Sequence, residues 1–193
     1  MSGGGLSWIG IFRLGLVQTA LGAVVILTTS TLNRVMVVEL ALPAMIPGFL
    51  VSLHYAVQMS RPRLGYGSDV GGKRTPWIIG GILVLGVGAT LASASTLLMT
   101  NHETWGFVLA LVAFLLIGLG VGAAGTSLLV LLAKLVDATR KAAAATIVWV
   151  MMIFGFVVTA TVVGHYLDPF SLSKLIGITA IVSGLALLVT LLS

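Results

Sequence analysis

Apolar positions along this chain fall into six long runs separated by short polar breaks, with neither the strict alternation of strands nor the one-sided stripe of soluble helices. A helix crossing a hydrocarbon layer of roughly 30 Å needs about 20 mostly apolar residues. Six segments qualify, at about 14–33, 41–58, 77–100, 105–132, 142–164 and 175–192. The pattern therefore predicts an all-α membrane protein of six transmembrane helices forming one bundle. Trp8, Ile9, Ile11 and Phe12 ahead of Arg13 read as an interfacial lead-in to the first helix. Trp77 and Trp105 stand at predicted boundaries, where indoles anchor. The longest polar connection, about 60–76, leaves no room for a soluble domain.

Composition strengthens this picture. The chain is 59% hydrophobic and 8% charged with mean hydropathy +1.19, against about 25% charged in ordinary soluble domains. Twenty-four glycines suit close helix packing in lipid. A net charge of +5 raises nucleic acid as a partner, but the basic residues sit singly at the ends of apolar runs, so none is expected. Arg13, Arg61, Arg63, Lys73, Arg74, Lys134, Arg140 and Lys141 fall on one side of the predicted layer; Arg34 and Lys174 fall on the other. Positive residues stay cytoplasmic, so both ends of the segment are expected there. With no cysteine, no Ser-His-Asp set, no paired catalytic carboxylates and no metal-binding cluster, the sequence predicts no catalytic residues, no protein-bound metal centre and no enzyme.

Two glycine-containing stretches carry more information. Gly65-Tyr-Gly-Ser-Asp69-Val-Gly-Gly72-Lys73-Arg74 fits G-x-x-x-D-x-x-G-[RK]-[RK]. Glycines allow a tight turn, a carboxylate can meet a helix N-terminus or a cation, and the basic pair holds the cytoplasmic side. This resembles the loop between helices 2 and 3 of the major facilitator superfamily. The resemblance implies half of a facilitator fold, whose partner is its own C-terminal six-helix half, so the chain is expected to be the N-terminal half of a longer protein. In the fourth run, Gly118, Gly120, Gly122 and Gly125 contain a G-x-G-x-x-G spacing. Lying inside an apolar helix, it predicts a helix-packing face rather than a dinucleotide site. The arginine that proton-coupled facilitators carry just before such glycines is absent, with Ile117 in its place. The fifth run shows isolated Gly155 and Gly164 instead of the antiporter G-P-x-x-G-G.

Further residues narrow the resemblance. Phe12-Arg13-Leu-Gly-Leu, Thr31-Leu-Asn33-Arg34-Val-Met-Val-Val-Glu39-Leu, Leu53-His54-Tyr55, Arg61-Pro62 and Gly65-x-x-x-Asp69 together resemble the PucC/LhaA family. The N-R-V-M-x-V-E-L segment is the most distinguishing part. The resemblance implies a facilitator-fold protein in the photosynthetic, intracytoplasmic part of a bacterial inner membrane. The role it implies there is to assist light-harvesting complex assembly, by delivering or inserting bacteriochlorophyll and docking antenna polypeptides or a reaction centre–antenna complex.

If a bacteriochlorin is bound, its magnesium seeks one nitrogen or oxygen donor. The candidates are His54, the one imidazole at depth, and the Asn33, Arg34, Glu39 cluster, where an arginine offsets a carboxylate. For each a plainer reading stays open: a histidine hydrogen-bonded between helices, and an ion pair fixing the junction of helices 1 and 2. His102 and His165 lie near outer ends. A solute transporter working by alternating access is the alternative function.

Overall fold

The structure, a computed structural model, describes residues 5–70 and 73–193, with Asp69 described by its backbone alone. Helix α1 runs from Trp8 to Glu39, α2 from Met45 to Gln58 and α3 from Arg61 to Val70. They are followed by α4 (Thr75–Met99), α5 (Glu103–Leu135), α6 (Lys141–Tyr166) and α7 (Leu172–Leu192). Among the described residues, five helices are long and apolar enough to cross a membrane: α1, α4, α5, α6 with its leading 3₁₀ turn, and α7. The second predicted run forms the short α2 of 14 residues instead.

Helix α1 departs from expectation at both ends. The supposed lead-in is its first turns, with the Ser7 side chain accepting a 3.2 Å hydrogen bond from the Gly10 amide. At the other end the chain does not turn at Thr31–Glu39. It stays helical through two π-type stretches, Leu27–Thr31 and Val35–Glu39, and leaves only at Leu40. Ala41 then takes a positive φ of 51°. The wider π turn slows the rotation of the helix, which keeps Leu32, Val35 and Met36 on the buried side with Val24 and Leu27. The polar run Thr28-Thr29-Ser30-Thr31 sits here, and Thr28 and Thr29 both donate to the Val25 carbonyl at 2.9 Å. Such back-bonding satisfies hydroxyls inside an apolar layer.

The segment around Gly65 is also helical. After α2 the chain makes one tight turn at Met59 and Ser60 and re-forms as α3, with Pro62 in its first turn, where a missing N–H costs least. Gly65 and Asp69 belong to α3 rather than to a loop. Gly72 and the Asp69 side chain lie outside the described residues. Glycines let α2 and α3 lie end to end against α5 in one register. A Cβ on Gly118 would touch the His54 carbonyl at 2.8 Å, one on Gly122 the Leu64 side chain at 2.9 Å, and one on Gly65 Thr126 at 3.2 Å.

Helix α5 is central. Gly120 faces α4, meeting Gly81 and Leu85, while Gly125 faces Leu21 of α1. Helix α6 packs on α1, where Thr19 donates to the Met151 carbonyl at 2.9 Å and Gln18 to the Met152 sulfur at 3.2 Å. Helix α7 packs on α1 and α4, and Ser93 donates to Thr179 at 2.9 Å. The larger of two buried apolar clusters gathers Leu21, Val24, Leu50, Leu85, Phe114 and Ile117.

Counting α2–α3 as one member, exchange of first with fourth, second with fifth and third with sixth maps the main helix pairs onto one another, though not with equal extents of contact. The α1–α6 contact becomes α5–α2, and α1–α7 becomes α5–α4, while α4–α7 and α1–α5 map to themselves. Nearly all packing runs between the first three members and the last three.

Candidate functional site

The Asn33, Arg34, Glu39 cluster is carried on the outer end of α1. In an α-helix, residues five apart point away from each other; in a π turn they stack. The Leu40 amide donates to the Val35 carbonyl at 3.1 Å, and this geometry brings the Arg34 Nη1 to 3.5 Å from the Glu39 Oε1. Asn33 is half-buried beside them and Arg34 is exposed. Among the described residues the second carboxylate oxygen of Glu39 has no cation partner, on a helix end open to its surroundings. An oxygen donor with its charge offset by a guanidinium is chemically fit to ligate a magnesium chlorin.

His54 is placed differently. It is 1% exposed, where α2 lies on Gly118 of α5. Arg61 donates through Nη2 to the Gln58 Oε1, which orients the amide so that Gln58 Nε2 meets His54 Nε2 at 2.7 Å. An amide NH₂ has no lone pair to accept with, so His54 Nε2 accepts and the imidazole proton sits on Nδ1. That Nδ1 has no hydrogen-bond partner. Neither ring nitrogen then offers a lone pair: one is engaged, the other protonated. In this arrangement the Nε2 lone pair of His54 is engaged by Gln58, whereas Glu39 keeps an oxygen that Arg34 does not meet.

The sequence reading missed Gln58 and the orientation of Arg61. The signal was present, since His54, Gln58 and Arg61 at i, i+4 and i+7 fall on one helical face. Pro62, Gly65 and Gly67 obscure it, because such residues mark a loop rather than a helix face. Lys73, exposed, and Arg74, half-buried at the entry to α4, follow α3. His102 and His165 are exposed at helix ends, away from Glu39 in sequence and from His54 in burial.

Between α1, α6 and α7 lies an apolar groove of about 400 Å³. Its walls include Phe154, Val158 and Leu185, and its floor the small residues Ala20, Ala23 and Gly155. A second groove, of about 580 Å³, runs between α3 and α5 and includes Arg61, Tyr66, Thr126 and Leu129.

A bundle of long apolar helices closed by glycine contacts and uncharged hydroxyls, with its few charges at helix ends or along one helix face, defines a polytopic helical membrane-type protein. Residues 31–193 match the family described as PUCC protein, and the chain belongs to that family. It is 56% identical over 187 residues to the "Bacteriochlorophyll synthase 44.5 kDa chain" of Rhodobacter capsulatus, covering 96% of this chain and 44% of that protein. It is 32% identical over 178 residues to "Protein PucC" of Rhodovulum sulfidophilum, covering 86% and 39%. With "Protein PucC" of Cereibacter sphaeroides it shares 30% over 191 residues, covering 93% and 41%. The chain thus spans less than half the length of these relatives. No solved structure matches it.

Proposed function

We propose that this chain is the N-terminal half of a facilitator-type protein that assists assembly of photosynthetic light-harvesting complexes. In this reading it handles bacteriochlorophyll and docks antenna polypeptides, or a reaction centre–antenna complex, within the bilayer. The observation that carries the reading is the near full-length likeness of this chain to a relative whose name contains bacteriochlorophyll. The exchange of helices 1–3 with 4–6 in the packing is what nested three-helix repeats of a facilitator half produce. It supports six membrane-crossing members, with α2–α3 acting as the second. The basic residues at one end of the bundle support cytoplasmic termini in an intracytoplasmic bacterial membrane.

The role we propose is not enzymatic, although that relative is named a synthase chain. The ionisable groups near the middle of the bundle are His54 and Arg61, tied to one another through Gln58. A bacteriochlorin, if held, supplies the light-absorbing macrocycle and one open magnesium coordination position. Glu39 would offer the ligand oxygen, Arg34 would offset its charge, and Asn33 would hydrogen-bond nearby. The missing helix-4 arginine, replaced by Ile117, weighs against a proton-coupled transporter, which stands as the second reading.

The test is the absorption spectrum and polypeptide content of the full-length protein purified from its own membrane. Assembly predicts bound bacteriochlorin and co-purifying antenna polypeptides, with pigment content lowered in Glu39→Gln and unchanged in His54→Leu. A colourless protein that performs solute counterflow in vesicles overturns the assembly reading.

A further inference from the structure

Arg61 lies deeper than any other basic residue on its side of the bundle. Its level can be read from α5, because α2 and α3 follow α5 in constant register: His54 and Val57 at Gly118, Arg61 and Leu64 at Gly122, Gly65 at Thr126. Gly122 is twelve residues before Lys134 and nineteen after Glu103, roughly 18 Å and 28 Å along the helix. An apolar layer of about 30 Å centred between those two charges puts Arg61 roughly 10 Å inside its edge. Side chains on a helix lean toward its N-terminus, and for α3 that direction is away from the basic end. The hydrogen bond from Arg61 to Gln58 shows the guanidinium turned that way. Arg61 therefore does not reach back to the headgroups on its own side.

A cation at that depth needs an anion. Among the described residues no carboxylate pairs with it. Glu39 is held by Arg34 and Asp137 by Arg140, while Glu103 opens α5 and Asp168 follows α6, both at the far end. Arg61 is exposed, and it borders the groove of about 580 Å³ between α3 and α5. Beyond the guanidinium the groove is lined by Pro62, Leu129, Val130 and Ala133, with the exposed Tyr66 at its side. One guanidinium beside a largely apolar trough, whose other polar groups are the uncharged hydroxyls of Tyr66 and Thr126, matches an amphiphile with one anionic group and a long hydrocarbon tail.

We propose that this groove is a binding site for an anionic phospholipid, whose phosphate is drawn into the layer to meet Arg61 while an acyl chain lies along Leu129 and Val130. The lipid supplies an anion that the described residues do not offer Arg61, and it leaves the Arg61–Gln58–His54 chain of hydrogen bonds intact because a guanidinium has donors to spare. The proposal rests on the bundle spanning a bilayer, and on neither the pigment nor the antenna role.

The experiment uses the full-length protein in nanodiscs of phosphatidylcholine containing a minor fraction of phosphatidylglycerol, with retained lipid measured by mass spectrometry after delipidation. A charge-assisted contact predicts about a tenfold enrichment of phosphatidylglycerol. Arg61→Met should abolish it, and Arg13→Met, at the exposed start of α1, should not. Equal enrichment in Arg61→Met and the parent overturns the proposal. Should Arg61→Met fail to fold, photoactivatable phosphatidylglycerol on the parent protein decides: adducts on α3 and on 126–133 of α5 support the site, and adducts elsewhere or none refute it. Inorganic phosphate at millimolar concentration should not compete; if it does, the site takes a free anion and not a lipid. Labelling of cysteines from the two sides of the membrane separates failure of this proposal from failure of the spanning reading.

Discussion

Replacing Gly120 by alanine tests the claim that α5 is a central post built for close approach. A Cβ there would stand 2.7 Å from the Gly81 carbonyl oxygen and 2.8 Å from the Leu85 Cα, both backbone atoms of α4 that no rotamer change can move. That is about 0.7 Å inside ordinary contact, so the two helices must separate by about that much. The separation loosens contacts along the whole α4–α5 seam, including those of Gly88 with Ala113 and Ile117. Overpacking of a tight core costs typically 1–3 kcal/mol. The same change at Gly177 or Gly184 of α7 meets nothing within 4 Å, and alanine there should be neutral or up to about 1 kcal/mol stabilising through helix propensity. The two classes should therefore differ by roughly 1–4 kcal/mol. Reversible unfolding of the full-length protein in mixed micelles, titrated with sodium dodecyl sulfate, reads this difference directly. If Gly120→Ala and Gly177→Ala unfold at the same denaturant fraction, the close α4–α5 approach is wrong.

Two further outcomes follow from the site geometry. Gln58→Leu should destabilise by about 1–3 kcal/mol, since it strips the buried His54 of its remaining partner and leaves Arg61 without an acceptor, whereas His54→Leu removes a ring that already carries an orphaned nitrogen and should cost less; the reverse order in the same titration refutes the hydrogen-bond assignment. Single cysteines at Lys73 and Asn101, both exposed, should react with impermeant reagents from opposite faces of the membrane, Lys73 from the cytoplasmic one; labelling of both from the same face contradicts the topology.

What was legible in the sequence was what lipid dictates. Runs of apolar residues marked the long helices at 77–100, 105–132, 142–164 and 175–192 to within a few residues of their observed ends. Hydropathy failed where a helix carries polar residues for local reasons. Thr28–Thr31 and Asn33-Arg34 look like a helix end, yet back-bonded hydroxyls and a π-turn ion pair carry α1 on to Glu39. Arg61-Pro62-Arg63 looks like a loop, yet proline is at home in a first turn and Gly65 lets α3 settle on Thr126. Of the candidate residues, the four glycines of α5 could be marked as close-packing positions from spacing alone, but not that they serve four different helices, α2, α4, α3 and α1. Which hydrogen bonds His54 and Glu39 already make is tertiary information that spacing does not carry.

The interleaved packing has a consequence for how the chain is made. Helices α1, α2–α3 and α4 leave the ribosome first, yet they pack little on one another. The main partner of α2–α3 and α4 arrives with α5, and most of the packing of α1 waits for α6 and α7. Until then the early helices must stay in the bilayer as separate, lipid-solvated rods, with their glycine faces unfilled and Gln18 lacking the sulfur it meets on α6. Such long-range closure is slow compared with neighbour-on-neighbour packing, and at 5–20 residues per second the stretch from the end of α1 to the end of α7 takes roughly 8–30 s to synthesise. For that interval the growing protein is itself an unassembled client of the membrane.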